Sequence, residues 1–221
     1  VLSHVIERCQ AVKNADVVCC AIPDNTESDP VALEAENCGS VVYRGSEQDV
    51  LDRYFQAAKW LKADIVLRVT SDCPMIDPDV CDAVLNRRAV EDADYATNNM
   101  PPSWPHGLDC EAIKFKWLKR AWLESTEPQD REHVTPFIRR NKKVRKVNVE
   151  GPGGSLLEHR WTLDYPEDLD LAEKLFDYLG DDFHMDDILK VFSENPDLIK
   201  ITEPIINEWK INYDKQKNSI I

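Results

Sequence analysis

The sequence predicts an α/β protein with a doubly wound, mostly parallel sheet. Three observations carry this prediction. Strand-like apolar runs alternate with amphipathic helical segments over the first 92 residues or so. Helix punctuation falls between them: Pro30 in a first turn, Gly39 as a stop, Asp77 then Pro78 at a start. The chain has 221 residues, of which 43% are hydrophobic, enough to build one α/β core.

The elements follow in order. Val1, Leu2, Val5, Ile6, Cys9 and Val12 share one face of an opening helix. "ADVVCCAIP" (15–23) reads as a buried strand, "DPVALEAENCG" (29–39) as a helix and "SVVYRG" (40–45) as a short strand. "QDVLDRYFQAAKWLKA" (48–63) is an amphipathic helix, "DIVLRVTSD" (64–72) a strand and "DPDVCDAVLNRRAVED" (77–92) a helix. This βαβα rhythm places helices on both faces of the sheet. "ADYATNN" (93–99) and "GLDCEAIKF" (107–115) read as strands joined by the rigid loop "MPPSWPH". Helices "KWLKRAWLEST" and "DREHVTPFIRRN" come next, then strands at 144–151 and 159–165 split by "GPGGS", a turn with no phosphate role. "PEDLDLAEKLFDYLG" (166–180) is a helix with Pro166 at its start. The expected organisation is one domain over 1–180 and a helical tail over 181–221 with a polar, disordered end, "NYDKQKNS".

The formal net charge of −14 argues against a nucleic-acid backbone or an anionic membrane as the main partner. Small anionic substrates stay possible if basic residues or a metal offset the field locally. There is no long apolar run and no signal-peptide pattern, so the expectation is a soluble, cytoplasmic protein. The seven cysteines are scattered without a C-x-x-C pair and read as reduced thiols, Cys19 and Cys20 as core residues.

Asp72 and Asp164 stand at or near predicted strand ends, each followed by a proline, in "SDCP" and "LDYP". Two carboxylates meeting at one sheet edge suit a hard cation such as Mg²⁺, which takes few protein ligands and keeps waters and phosphate oxygens. Aspartate before a turn is also an ordinary cap, and "LDYPEDL" reads as an acidic helix start, the only role given to Glu167 and Asp168. Arg131 and Arg160 are candidates for an anionic substrate group, whereas Arg139 and Arg140 read as solvated surface. His133 sits at a helix start beside Arg131 and Glu132. Asp109 and Glu111 share one face of a predicted strand and, with Asn98, are candidates for contact with sugar hydroxyls.

"RGSEQDVLDRY", "LRVTSDCPMIDP", "GLDCEAI", "REHVTPFIRRN" and "HRWTLDYPEDL" occur in this order. Together they strongly resemble the cytidylyltransferase-like family that includes the spore coat polysaccharide biosynthesis protein F. That family is related to the enzymes that activate 3-deoxy-manno-octulosonate and acylneuraminate as CMP-sugars. The resemblance covers roughly residues 1 to 175. It implies the nucleotide-diphospho-sugar transferase type of fold and a nucleotidyltransferase activity. In that reaction a sugar hydroxyl attacks the α-phosphorus of CTP and pyrophosphate leaves. By analogy, Asp72 and Asp164 hold Mg²⁺ as catalytic and metal-binding residues. Arg131, His133 and Arg160 face an acidic acceptor sugar, and Ala21 and Ile22 approach the nucleobase, with Arg68 and Ser71 on the nucleotide side. The resemblance also implies an N-terminal strand and a basic triphosphate-gripping loop ahead of the first helix, which this sequence lacks.

The cytidylyltransferase reading has two rivals. One is a glycosyltransferase of similar fold, disfavoured because Cys73-Pro74 follows Asp72 where D-x-D is common. The other is a scaffold that has lost the triphosphate loop. A homodimer through the middle segment, with an exposed Trp104, is a further expectation.

Overall fold

The computed structural model describes residues 1–206. Its elements with full bounds are α1 (Leu2–Gln10), β1 (Cys19–Pro23), α2 (Asp29–Asn37), β2 (Val41–Gly45), α3 (Val50–Trp60), β3 (Ile65–Arg68), α4 (Pro78–Val90), β4 (Tyr95–Thr97), β5 (Glu111–Lys114), α5 (Phe115–Glu124), α6 (Pro128–His133), α7 (Pro136–Arg140), β6 (Lys146–Asn148), α8 (Pro166–Leu179) and α9 (Met185–Glu194). The expected α/β architecture is present. β1 pairs in parallel with β2, and β4 with β6; β5 runs antiparallel between β3 and β4.

Side-chain alternation divides the core. Tyr95 and Ile113 pack on one face with Leu51, Phe55, Leu118 and Ile138 from α3, α5 and α7. Ala96 and Ala112 pack on the other with Cys81, Val84 and Leu85 of α4. Asp77 caps its helix as read, accepting from the Asp79 amide at 2.8 Å, and the Asp49 carboxylate does the same for α3, accepting from the Asp52 amide at 2.9 Å. The described part of the tail is packed in. Phe183, Ile188, Val191 and Phe192 share a core with Leu171 and Leu175 of α8 and with Met75, Leu108 and Trp161. The stretch "NYDKQKNS" lies outside the described residues.

Four readings change. β3 ends at Arg68, because β5 begins at Glu111 opposite it and offers Val69 no ladder partner. Asp72 therefore lies in a turn beyond the strand, and Asp109 precedes β5, leaving only Glu111 of that pair in a strand. Residues 130–141 form two short helices broken at Val134, with φ 71°. Residues 159–165 form no strand: their backbone bonds go to different loops, His159 and Trp161 to His106, Leu163 to Asp72. Trp104 is half-buried instead of exposed, its indole donating to the Val149 carbonyl at 2.9 Å.

The β1–β2 and β3–β5–β4–β6 sheets are separate. The edges of β1 and β3 flank a cavity of ≈ 950 Å³ lined by residues 14–23 and 61–71. Leu2, Val5, Ile6 and Cys9 of α1 and Tyr54, Ala57 and Ala58 of α3 also line it. No described helix is long and apolar enough to cross a membrane.

Candidate active site

Three segments meet beyond the end of β3. The Asp72 carbonyl accepts from the Leu163 amide at 2.8 Å and from the Thr162 hydroxyl at 2.9 Å. The Trp161 amide in turn donates to the His106 carbonyl at 2.7 Å. These bonds bring Asp72, the His106–Asp109 loop and the Asp164 segment together. Gly107 makes the approach possible: its φ is 107°, and an added Cβ would lie 2.6 Å from the Trp161 carbonyl.

Asp164 is presented by a buried clamp. The Arg160 side chain is 0% exposed and donates to Asp168 at 3.0 and 2.8 Å and to Asp164 at 2.5 Å. Asp168 also accepts from the amides of Asp164 and Tyr165. Asp168 thus does more than start a helix, and Arg160 is spent on holding the loop instead of facing an acceptor. The Asp164 side chain itself is 51% exposed. Asp72 is half-buried, its Oδ1 touched by the Cys73 thiol at 3.6 Å. Two carboxylates on tethered neighbouring turns, with open oxygen positions, fit a hard cation that keeps water and phosphate ligands. The described three-ligand clusters, His4–Glu7–Asp181 and Asp77–Asp79–His184, include neither residue.

A polar network runs beside them. Glu111 accepts from Arg68 Nη1 at 2.8 Å, Tyr95 Oη at 2.5 Å and Arg139 Nε at 3.2 Å. Burial alone would raise the Glu111 carboxyl; Arg139, Arg68 and the Tyr95 and Thr135 hydroxyls overcome it and hold it at about 2. Arg139 also donates to Asn99, and Asp109 meets His106 Nδ1 at 3.0 Å. Burial opposes ionisation of Asp109, but bonds from His106, Gly107 and Asn99 lower its carboxyl. The Cys73 thiol is raised by burial and by the charges of Asp72 and Asp109.

Ala21, Ile22, Arg68 and Ser71 all line the cavity between β1 and β3. The remaining candidates are placed otherwise. Asn98 is buried with its amide spent on Leu108 and Cys110 backbone. Arg131 donates to Asp49 at 2.9 Å and to the Trp122 carbonyl at 2.8 Å, tying α6 to the start of α3. His133 is half-buried at the end of α6, its carbonyl accepting from Thr135. Glu111 has both oxygens engaged, so it supports neighbours and is not open to a sugar hydroxyl. Arg139 and Arg140 are not free surface: Arg139 joins the network, and Arg140 pairs with the buried Asp130. Sequence reasoning missed Arg139, Tyr95 and His106. Two spacings pointed to them: Tyr95, Thr97 and Asn99 alternate on one face, and Thr135 and Arg139 lie one helical turn apart.

Comparison with known proteins decides the class. A family model described as cytidylyltransferase matches residues 1–197. The chain belongs to the cytidylyltransferase family. It is therefore a nucleotidyltransferase, and neither the glycosyltransferase nor the scaffold reading is needed. An uncharacterised protein of Methanocaldococcus jannaschii is 30% identical over 211 residues, 93% of this chain and 84% of that one. The spore coat polysaccharide biosynthesis protein SpsF of Bacillus subtilis is 27% identical over 190 residues, 84% of this chain and 78% of that one. The solved structure of a cytidylyltransferase from Leptospira borgpetersenii superposes with a TM-score of 0.85 at 27% identity, covering 90% of this chain and 84% of that one.

Proposed function

We propose that this cytidylyltransferase joins CMP from CTP to an acidic sugar, with Mg²⁺, for cell-surface polysaccharide synthesis. The observation that carries the reading is the tethering of the Asp72 turn to the Asp164 turn, beside the cavity that Arg68 and Ser71 line. A sugar hydroxyl oxygen forms the new bond to the α-phosphorus. The bond from that phosphorus to the bridging oxygen breaks, pyrophosphate departs with that oxygen, and the hydroxyl proton passes to water. Asp72 and Asp164 would hold Mg²⁺, which supplies charge neutralisation at the phosphates. The chain's own part is positioning. The Arg160–Asp168 clamp fixes where Asp164 points, and the Glu111 network fixes Arg68 and Arg139. The sugar acceptor is supported by the likeness to SpsF, a polysaccharide biosynthesis protein, and its acidity by the resemblance to CMP-sugar enzymes.

The test is pyrophosphate release from the common nucleoside triphosphates, each offered acidic and neutral sugars with Mg²⁺. Release is expected from CTP with an acidic sugar and to stop with chelator. Preference for another triphosphate or a neutral sugar would overturn this specificity.

A further inference from the structure

We infer that Arg53 and Arg68 form a phosphate subsite at one end of the cavity between β1 and β3. The inference rests on the nucleotide reading above and adds to it a residue, Arg53, and a ligand group.

Both arginines line the cavity. Each has its Nε buried without a hydrogen-bond partner among the described residues. These Nε atoms are closed off from the cavity, so an acceptor there would meet the guanidiniums through their terminal nitrogens. Both are held from behind. Arg68 is pinned by Nη1 to Glu111 at 2.8 Å and lies over the Tyr54 ring at 5.7 Å. Arg53 is pinned by Nη1 to the Ser46 carbonyl at 2.5 Å, and its stem packs on Gly45, whose added Cβ would lie 3.2 Å from Arg53 Cγ. Tyr54, whose ring Arg68 covers, follows Arg53 in the chain and lines the same cavity.

Topology places them at the same end. Arg68 is the last residue of β3, and Arg53 is in the first turn of α3, the helix that leads back to the start of β3. That end carries Ser71 and the turn of Asp72. Arg88 also lines the cavity and also has a buried, unpartnered Nε. It lies near the end of α4, which feeds β4; β4 and β3 both run antiparallel to β5, so Arg88 belongs to the opposite end. Arg88 is therefore an internal control of similar chemistry.

The ligand class is a phosphate chain. Guanidinium forks suit its oxygens, and the net charge of −14 makes two adjacent fixed cations a local exception to a repelling field. Glu111 does not cancel the subsite, because Arg139 shares that carboxylate.

The test uses inorganic tripolyphosphate, without nucleobase, by titration calorimetry on the full chain, at two salt concentrations. The parent is expected to bind it, more weakly at high salt. Arg53→Gln and Arg68→Gln should each weaken binding by at least about tenfold, the loss of one charge-assisted bond. Arg88→Gln should leave it within about twofold, the range of a screened distant charge. No binding by the parent, or an equal loss with Arg88→Gln, overturns the subsite. CTP turnover separates the two readings. Unchanged kcat/KM for CTP in both subsite variants removes the subsite and leaves the transferase. Tripolyphosphate binding that depends on Arg53 and Arg68, with no CTP turnover, does the reverse.

Discussion

Glu111 is the anion on which the network around the site depends. It is buried between two arginines, and removing one partner of such a group leaves charge uncompensated. Glu111→Gln should therefore destabilise the protein at neutral pH by about 3 kcal/mol. Its folded value, about 2, lies below the ordinary 4.5. The stabilisation is thus present above 4.5 and is lost as pH falls towards 2. Denaturant titrations of parent and variant should differ at pH 7 and converge towards pH 2; a gap that persists at low pH would contradict the assignment. Gly107 makes a different demand. Gly107→Ala puts a Cβ 2.6 Å from the Trp161 backbone at positive φ, so a loss of more than about 2 kcal/mol is expected, read from the thermal midpoint. At this scale the sequence showed the acidic turns at Asp72 and Asp164, because aspartate-proline punctuation is local. It hid the role of Arg139 and the partners of Arg160, because both depend on carboxylates brought near by the fold.

The elements show the same division. Helices with a cap and an apolar stripe, such as α3, α4 and α8, stand close to their expected bounds. The segment read as one helix over 130–141 breaks because Thr135 donates to the His133 carbonyl at 2.8 Å, closing a γ-turn on Val134. That turn is strained for a β-branched residue, and no helical periodicity records it. It directs Thr135 to Glu111, so the strain serves the network. The 159–165 segment has strand-like residues, yet its partners are loops. α9 carries its own pH dependence. His184 caps it and meets Asp77 Oδ1 at 3.1 Å; its hydrogen bond to Asp77, against burial and with Asp79 helping and Arg8 opposing, raises its value above 6.5. The stabilisation is full below 6.5 and is lost as pH rises through the raised value. Hydrogen exchange in α9 should therefore be faster at pH 8.5 than at pH 5.5 after intrinsic-rate correction, and His184→Gln should flatten that difference. An unchanged slope in the variant would contradict the contact.

At the scale of the molecule, the sheet is divided. β3 is apolar in sequence, yet none of its residues is fully buried, because its free edge meets a cavity. Composition and rhythm predict the layers of the fold, but not that two sheets stand apart. Amides on the facing edges of β1 and β3 should exchange faster than those of β4 and β5, which have partners on both sides or a buried position. Uniform protection across all four strands would contradict an open slot. Asp72 and Asp164 are proposed to hold the metal for transfer from CTP. The most direct test of this is titration of CTP with and without Mg²⁺, on the parent chain and on Asp72→Asn. Mg²⁺ should tighten CTP binding to the parent by at least about tenfold, and Asp72→Asn should remove this gain. An equal Mg²⁺ effect in parent and variant would contradict it.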